Sequence, residues 1–285
     1  MGVAFANDMA VSQGSQTRWP FARHDVFAGL AEPHRMRVIR SLPGMIVWPA
    51  LMFALIYGAQ LAIIIGWAMA GGPATGLSEG GATFLGIILG YAGLAIVMWV
   101  WMKRYKAHRP VFSIFPLRLT DFVAAALTIV FMVLIASPLT LSFHEFAMSN
   151  PDMTLSGGAS RDDLSNVDDF AGAGASLWLV IGLTLIAAPI VEEILFRGWM
   201  LPMMMARGVP PIFAIIISAL AFGLVHITQG LLVMTSTFFL ALALGAARVW
   251  TGRLAAPILG HVANNAWAVF AVPYLISLAP AAGGN

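Results

Sequence analysis

The chain contains no cysteine and few charged residues, and each of these features excludes some classes of protein. Without cysteine it has no disulfide framework and no thiolate that could act as a nucleophile or metal ligand. Charged residues make up 10% of the 285 residues, whereas hydrophobic residues make up 60%. A water-soluble chain of this length could not bury so much apolar surface. The net charge of +2 does not indicate a nucleic-acid partner. The composition therefore predicts a helical bundle surrounded by membrane lipid.

Hydrophobic runs long enough to cross a bilayer recur along the chain. About twenty apolar residues span a hydrocarbon core of about 30 Å. The sequence therefore predicts an all-α, polytopic membrane bundle of about seven to eight transmembrane helices. The runs that we identify lie at 44–70, 82–102, 121–143, 176–201, 210–227, 231–249 and 255–276.

The runs divide the chain into five parts. A polar N-terminal lead, which has room for an interfacial helix between Phe27 and Ile39, precedes three helices, an acidic loop, a second group of helices and a tail. These parts are 1–43, 44–143, 144–175, 176–276 and 277–285. Polar side chains inside the apolar runs are concentrated in the second group of helices, so we predict that this group is catalytic.

The basic residues predict how the chain is oriented. Of the 15 Lys and Arg residues, all except Arg161 fall on one side of the predicted spans. The positive-inside rule then places the N-terminus in the cytoplasm and the acidic loop outside. This assignment counts Arg197 and Arg248 among the residues at cytoplasmic helix ends. The short loops and Ala/Gly/Met-rich spans are typical of a bacterial inner membrane, which is the predicted location.

The fourth run carries Glu192, Glu193 and Arg197. Charges in a bilayer are costly, so such residues usually face a protein-lined cavity and have a function there. Glu193 and Arg197 are four residues apart on one helix face, which predicts an ion pair. Glu192 then points about 100° away and is available to accept a proton from water. The alternative for Glu192 is a second hydrogen bond to Arg197 or to a neighbouring helix.

Two later runs add imidazole and amide groups. Phe222 and His226 form the pattern F-x-x-x-H, and His261 and Asn265 form H-x-x-x-N on one helix face. Imidazole and carboxamide groups can both donate hydrogen bonds to a developing oxyanion. Taken singly, a histidine such as His226 near a helix end is more often an interfacial residue than a catalyst, and the alternative for the His261–Asn265 pair is a polar contact between helices.

Together the three patterns carry more information than each does alone. In the order E-E-x-x-x-R, F-x-x-x-H, H-x-x-x-N on successive spans, the chain resembles the CPBP family of intramembrane proteases. This family includes the CAAX prenyl proteases and the bacterial Abi proteins. The resemblance covers roughly residues 176–276 and does not extend to the first three spans.

The resemblance implies a role for each motif residue. Glu192 would activate water with assistance from His226, and His261 with Asn265 would surround the scissile carbonyl oxygen. Supporting roles would fall to Glu193, Arg197 and Phe222. The function so implied is that of an intramembrane endopeptidase that hydrolyses a peptide bond in a membrane-associated peptide or protein. The alternatives are a catalytically silent immunity or scaffold protein of the same fold and, less favoured, a proton-coupled transporter.

The resemblance leaves metal use and site assembly open. The family is often described as metalloproteases, although a metal-free glutamate mechanism is also argued for it. The chain lacks H-E-x-x-H, and Glu192, His226 and His261 could bind zinc only if the fold brings them together. Counting about 1.5 Å per residue places His226 near the outer end of the fifth run, but Glu192 and His261 toward the inside. A common site therefore requires a fifth helix that is short, tilted or displaced, or run boundaries that are misdrawn. The number of subunits is not fixed by the sequence.

Overall fold

A computed structural model describes residues 43–76, 78–104, 106, 111–112, 114–149 and 181–271. Every regular element among these residues is a helix, which confirms the all-α prediction. The predicted N-terminal lead with its interfacial helix, most of the acidic loop and the tail lie outside the described residues.

The described residues form seven main helices, numbered here in chain order. Helices α1 and α2 are Pro43–Met69 and Glu79–Arg104. Helix α3 comprises Leu119–Phe131, the π-helical turn Met132–Ala136 and Ser137–Met148. Helix α4 comprises the π-helical turn Leu183–Ala187, then Ala188–Glu193, the π-helical turn Ile194–Met200 and Leu201–Ala206. Helices α5, α6 and α7 are Pro211–Leu224, Leu231–Thr251 and Ala255–Ala266, and a π-helical turn Trp267–Ala271 follows α7.

Four stretches in the described part of the chain are long and apolar enough to cross a membrane. They are Pro49–Met69, Glu79–Arg104, Leu119–Ala147 and Leu231–Thr251. Many large apolar side chains on α1, α2 and α3 are exposed, as expected for surfaces that face lipid rather than water. The chain is an integral membrane protein, and the larger number of spans stays a prediction.

Helix α4 lies at the centre of the bundle. Every residue from Glu192 to Met205 is buried, so this helix has no lipid-facing side along that stretch. A helix that is buried on all sides must be surrounded by other helices. Its side chains form a continuous apolar core with residues from α2, α5, α6 and α7. The predicted catalytic helix is therefore also the packing centre of the described structure.

Helix α5 is shorter than its predicted run of 210–227. Its 14 residues begin at Pro211, where a proline suits the first helical turn, and end at Leu224. At about 1.5 Å per residue this helix is about 21 Å long, less than the hydrocarbon core of about 30 Å. His226 follows its end, immediately before the 3₁₀ turn Ile227–Gln229. A short fifth helix is one of the arrangements that a common site was expected to require, and the structure has it.

Two arginines that were counted at cytoplasmic helix ends are buried. Arg197 has 0% and Arg248 2% of its surface exposed. Arg197 lies in the second π-helical turn of α4, and Arg248 in the last turn of α6. The positive-inside rule concerns basic residues in loops, so we no longer count these two buried arginines as evidence for the orientation. The cytoplasmic orientation of the N-terminus stays a prediction that rests on the remaining basic residues.

Two glycines on α2 allow close contact with α1. Gly86 and Gly90 are four residues apart, the spacing with which small residues bring membrane helices together. A Cβ atom at Gly90 would lie only 2.5 Å from the Cα of Ile56, and one at Gly86 would collide with the backbone at Gln60. The α1–α2 hairpin therefore packs backbone against backbone at these positions.

Replacing Gly90 by alanine should weaken this hairpin. The new methyl group meets backbone atoms that cannot rotate away, so we expect the free energy of unfolding to fall by about 1–3 kcal/mol. Thermal unfolding in detergent, followed by tryptophan fluorescence, measures the change. Gly93→Ala is the matched control, because a Cβ there meets nothing within 4 Å. Equal melting temperatures for the two variants would contradict the proposed close contact.

Candidate active site

Glu193 links two helices at the centre of the site. Its Oε1 accepts a hydrogen bond from Arg197 Nη1 at 2.7 Å and another from His261 Nδ1 at 2.9 Å. The side chains of Glu193 and Arg197 are both fully buried. The ion pair predicted from their spacing is thus confirmed, and it also holds the α7 histidine.

The charge of Arg197 is distributed over several acceptors. Its Nη2 donates to the carbonyl oxygen of Ala241 on α6 at 3.1 Å, and its guanidinium carbon lies 4.7 Å from the ring centroid of Phe222. Arg248 on α6 in turn donates from Nε to the carbonyl oxygen of Arg197 at 2.9 Å. A π-helical turn shifts the backbone hydrogen bonds from their α-helical partners, and such turns are frequent at functional sites. The second π-helical turn of α4 is therefore supported by side-chain and main-chain contacts from α6.

His261 has a defined orientation because Glu193 binds one of its two ring nitrogens. A carboxylate can only accept, so Nδ1 carries the hydrogen in this contact. The other nitrogen, Nε2, lies 3.8 Å from Glu192 Oε2. Such a carboxylate–imidazole contact fixes both the tautomer and the direction of the ring. The structure thus directs the reactive nitrogen of His261 toward Glu192.

Glu192 is held from two sides. Its Oε1 accepts a hydrogen bond from the hydroxyl group of Tyr91 on α2, and its Oε2 faces His261. Only 4% of the residue is exposed, so these groups determine where the carboxylate points. Of the alternatives considered for Glu192, the bond to a neighbouring helix is therefore present, and the second oxygen still faces an imidazole.

Phe222 packs between the two histidines. Its ring centroid lies 4.8 Å from that of His226 and 5.7 Å from that of His261, and it is fully buried. His226 Nδ1 donates to the carbonyl oxygen of Phe222 at 2.7 Å, which leaves Nε2 as the acceptor of a neutral ring. The F-x-x-x-H motif thus supplies both an imidazole and the aromatic surface that orients it.

Asn265 is held at the edge of this group. Its Nδ2 donates to the carbonyl oxygen of Thr184 at 2.9 Å, in the first π-helical turn of α4. The contact joins α7 to α4 about two helical turns before Glu192. The carboxamide has a second N–H, so the contact with Thr184 does not use all of its donors. The role of Asn265 as an oxyanion donor stays a prediction.

The site was also tested as a metal centre. Among the described residues, no three His, Cys, Asp or Glu side chains are grouped so that they could hold a metal ion. His226 and His261 each have only Nδ1 engaged, by a backbone carbonyl and by Glu193 respectively, and such contacts are compatible with ligation through Nε2. A zinc site formed by Glu192, His226 and His261 therefore gains no support from this arrangement and stays a prediction.

The segment that contains the motif residues matches a known protein family. Residues 174–267 match the family described as Rce1-like, type II CAAX prenyl endopeptidase. This segment is similar to the CPBP family. The match includes every motif position from Glu192 to Asn265 and confirms the resemblance predicted from the motifs. It covers about a third of the chain and leaves α1, α2 and α3 outside. Neither the curated proteins nor the solved structures compared with the chain gave a match.

Two residues that contact the CPBP site were not predicted from the sequence. Tyr91 lies on α2, outside the matched segment, and Arg248 was assigned to a helix end. The available signal for Tyr91 was a hydroxyl group inside an apolar span, directly after the close-packing glycine Gly90. Arg248 carried no distinguishing signal, because an arginine near the end of a hydrophobic run is ordinarily an interfacial residue.

Replacing Arg197 by methionine should destabilise the CPBP site strongly. The substitution leaves the carboxylate of Glu193 buried without its cation, and the loss of one partner from a buried pair typically costs about 3–5 kcal/mol. Thermal unfolding in detergent measures the loss. Adding Glu193→Gln to this variant removes the uncompensated charge, so the double variant should melt at a higher temperature than Arg197→Met alone. A single variant as stable as the wild type would show that the pair does not carry this energy.

Proposed function

We propose that the protein is an intramembrane endopeptidase in which Glu192 activates a water molecule. The main support is the position of the buried carboxylate of Glu192. One of its oxygens accepts a hydrogen bond from Tyr91, and the other faces the imidazole of His261, 3.8 Å away. The match of residues 174–267 to a protease family also supports the proposal. The complete set of oriented groups favours an enzyme over a silent relative of the same fold.

The first step uses Glu192 as a general base. A water molecule beside Oε2 gives one proton to the carboxylate as its oxygen attacks the carbonyl carbon of the peptide. The acceptor nitrogen Nε2 of His226 receives a hydrogen bond from the remaining O–H and so directs the attacking lone pair. The carbon–oxygen double bond becomes a single bond, and the negative charge moves to the carbonyl oxygen.

His261 and Asn265 stabilise this oxyanion. Because Nδ1 of His261 already donates to Glu193, Nε2 is a donor toward the site only in the doubly protonated ring, and this mechanism assigns that form to His261. Asn265 adds a carboxamide N–H. Preorganised donors of this kind lower the barrier most in a site with little water. The assignment of His261 and Asn265 to the oxyanion follows from their shared helix and from the orientation of the histidine.

Collapse of the intermediate completes the reaction. The proton that Glu192 took from water passes to the amide nitrogen, and the carbon–nitrogen bond breaks as the carbonyl re-forms. The products are a carboxylic acid and an amine, and Glu192 returns to its ionised form. One water is consumed, and no oxidant or reductant is required.

The substrate of this activity is a membrane-associated peptide or protein. The site lies on helices buried in the bundle, and the short α5 ends beside His226, so the peptide must reach the carboxylate at membrane depth. The family description refers to prenylated CAAX substrates. The proposal for this chain is limited to membrane-associated peptides.

Replacing Glu192 by glutamine should abolish peptide hydrolysis. An amide is nearly isosteric but cannot accept the proton, and removal of a general base typically lowers the rate by about 10²–10⁴-fold. Cleavage of a peptide library by the purified protein in proteoliposomes, followed by mass spectrometry, provides the measurement. The thermal unfolding of the variant should remain close to that of the wild type, because the amide still accepts the bond from Tyr91.

The matched control is Glu79→Gln, which makes the same chemical change at an exposed position at the start of α2. It should cleave as the wild type does. Full activity in Glu192→Gln would contradict the assigned base, and an inactive wild type would favour the catalytically silent relative.

Chelation provides a separate test of the metal-free route. Because no three of the described histidines and carboxylates are grouped so that they could hold a metal ion, we expect cleavage to persist after dialysis against a chelator. Elemental analysis of the same active preparation should find less than one zinc per chain. Stoichiometric zinc that is lost together with activity, and restored by added zinc, would show that the family's metalloprotease description applies here.

A further inference from the structure

We infer that Tyr91 is a positioning residue for the proposed general base, an inference that rests on the proposed function. Its hydroxyl group donates a hydrogen bond to Glu192 Oε1. Tyr91 lies 101 residues before Glu192 and is outside the segment that matches the protease family. The site of this chain is thus completed by a helix that carries none of the family motifs.

The hydrogen bond from Tyr91 gives the two carboxylate oxygens of Glu192 different roles. Oε1 is occupied by the phenol, whereas Oε2 faces His261 Nε2 at 3.8 Å. A carboxylate without the first contact could rotate about its last torsion angle, which is broad, and exchange its two oxygens. Tyr91 therefore selects Oε2 as the oxygen that takes the proton from water.

The hairpin of α1 and α2 fixes the position of Tyr91. The residue directly follows Gly90, where the two backbones are in close contact. The same hairpin also contacts the 3₁₀ turn after α5, because the hydroxyl groups of Tyr57 on α1 and Thr228 are hydrogen-bonded. A rigid pair of helices thus presents one tyrosine to the carboxylate and another to the turn after α5.

Tyr91→Phe removes the hydroxyl group and keeps the ring. Hydrogen bonds to charged groups typically contribute enough to change a rate by about ten- to hundredfold, so kcat should fall by this factor. KM should stay within about twofold because Tyr91 touches the base and not the peptide. In the Glu192→Gln background the same substitution should cause no further loss, since the residue acts only through the carboxylate.

Tyr57→Phe is the matched control. It removes an identical hydroxyl group from the same hairpin, but one that contacts Thr228 and not Glu192. Its kcat should stay within about threefold of the wild type. An equal loss in both variants would overturn the assignment, because the effect would then report looser hairpin packing. Unchanged kcat in Tyr91→Phe would overturn it as well.

Infrared spectroscopy tests the contact without relying on turnover. In protein labelled with ¹³C-glutamate, the carboxylate band of Glu192 is assigned by its loss in Glu192→Gln. This band should shift in Tyr91→Phe and stay in place in Tyr57→Phe. An unshifted band in Tyr91→Phe would overturn the inference whatever the activity. If Tyr91→Phe shifts the band but the wild-type protein cleaves no peptide, the proposed function is refuted. The hydrogen bond between Tyr91 and Glu192 is then still supported.

Discussion

The arrangement of the site depends on one buried charge, the guanidinium of Arg197. An arginine side chain is effectively always protonated, so inside the bundle its charge must be compensated by nearby groups. Glu193 supplies the opposite charge, Ala241 an additional acceptor, and Phe222 the face of an aromatic ring. Because these partners come from α4, α5 and α6, compensating the charge also sets how the three helices pack.

The same compensation organises the chemistry. Glu193 does not face the proposed water, yet its Oε1 is shared between Arg197 and His261 and so turns the imidazole toward Glu192. The adjacent acids of the fourth helix therefore have different tasks. One is neutralised and orients a histidine, while the other is held by a neutral phenol and keeps its capacity to accept a proton.

The sequence predicted contacts within one helix better than contacts between helices. The spacing of Glu193 and Arg197 was enough for their ion pair, because residues four apart must share a helix face. The bond between His261 and Glu193, and that between Tyr91 and Glu192, join residues far apart in the chain, and no spacing rule reaches them. Hydropathy likewise predicted the central helix but not the burial of Arg248 at the end of α6, because it cannot distinguish an arginine that donates to a carbonyl oxygen from one that contacts water.

The length of α5 has a consequence for the surrounding lipid. A helix of about 21 Å beside a hydrocarbon layer of about 30 Å creates a mismatch of about 9 Å, which a bilayer relieves by thinning or by admitting headgroups and water. The thinned region of the bilayer would lie next to α5, whose last turn leads to His226. Lipid deformation at this point would give both reactants, a polar peptide and a hydrolytic water, a short route to a reaction centre that is otherwise enclosed by protein. The membrane itself would then form part of the entrance.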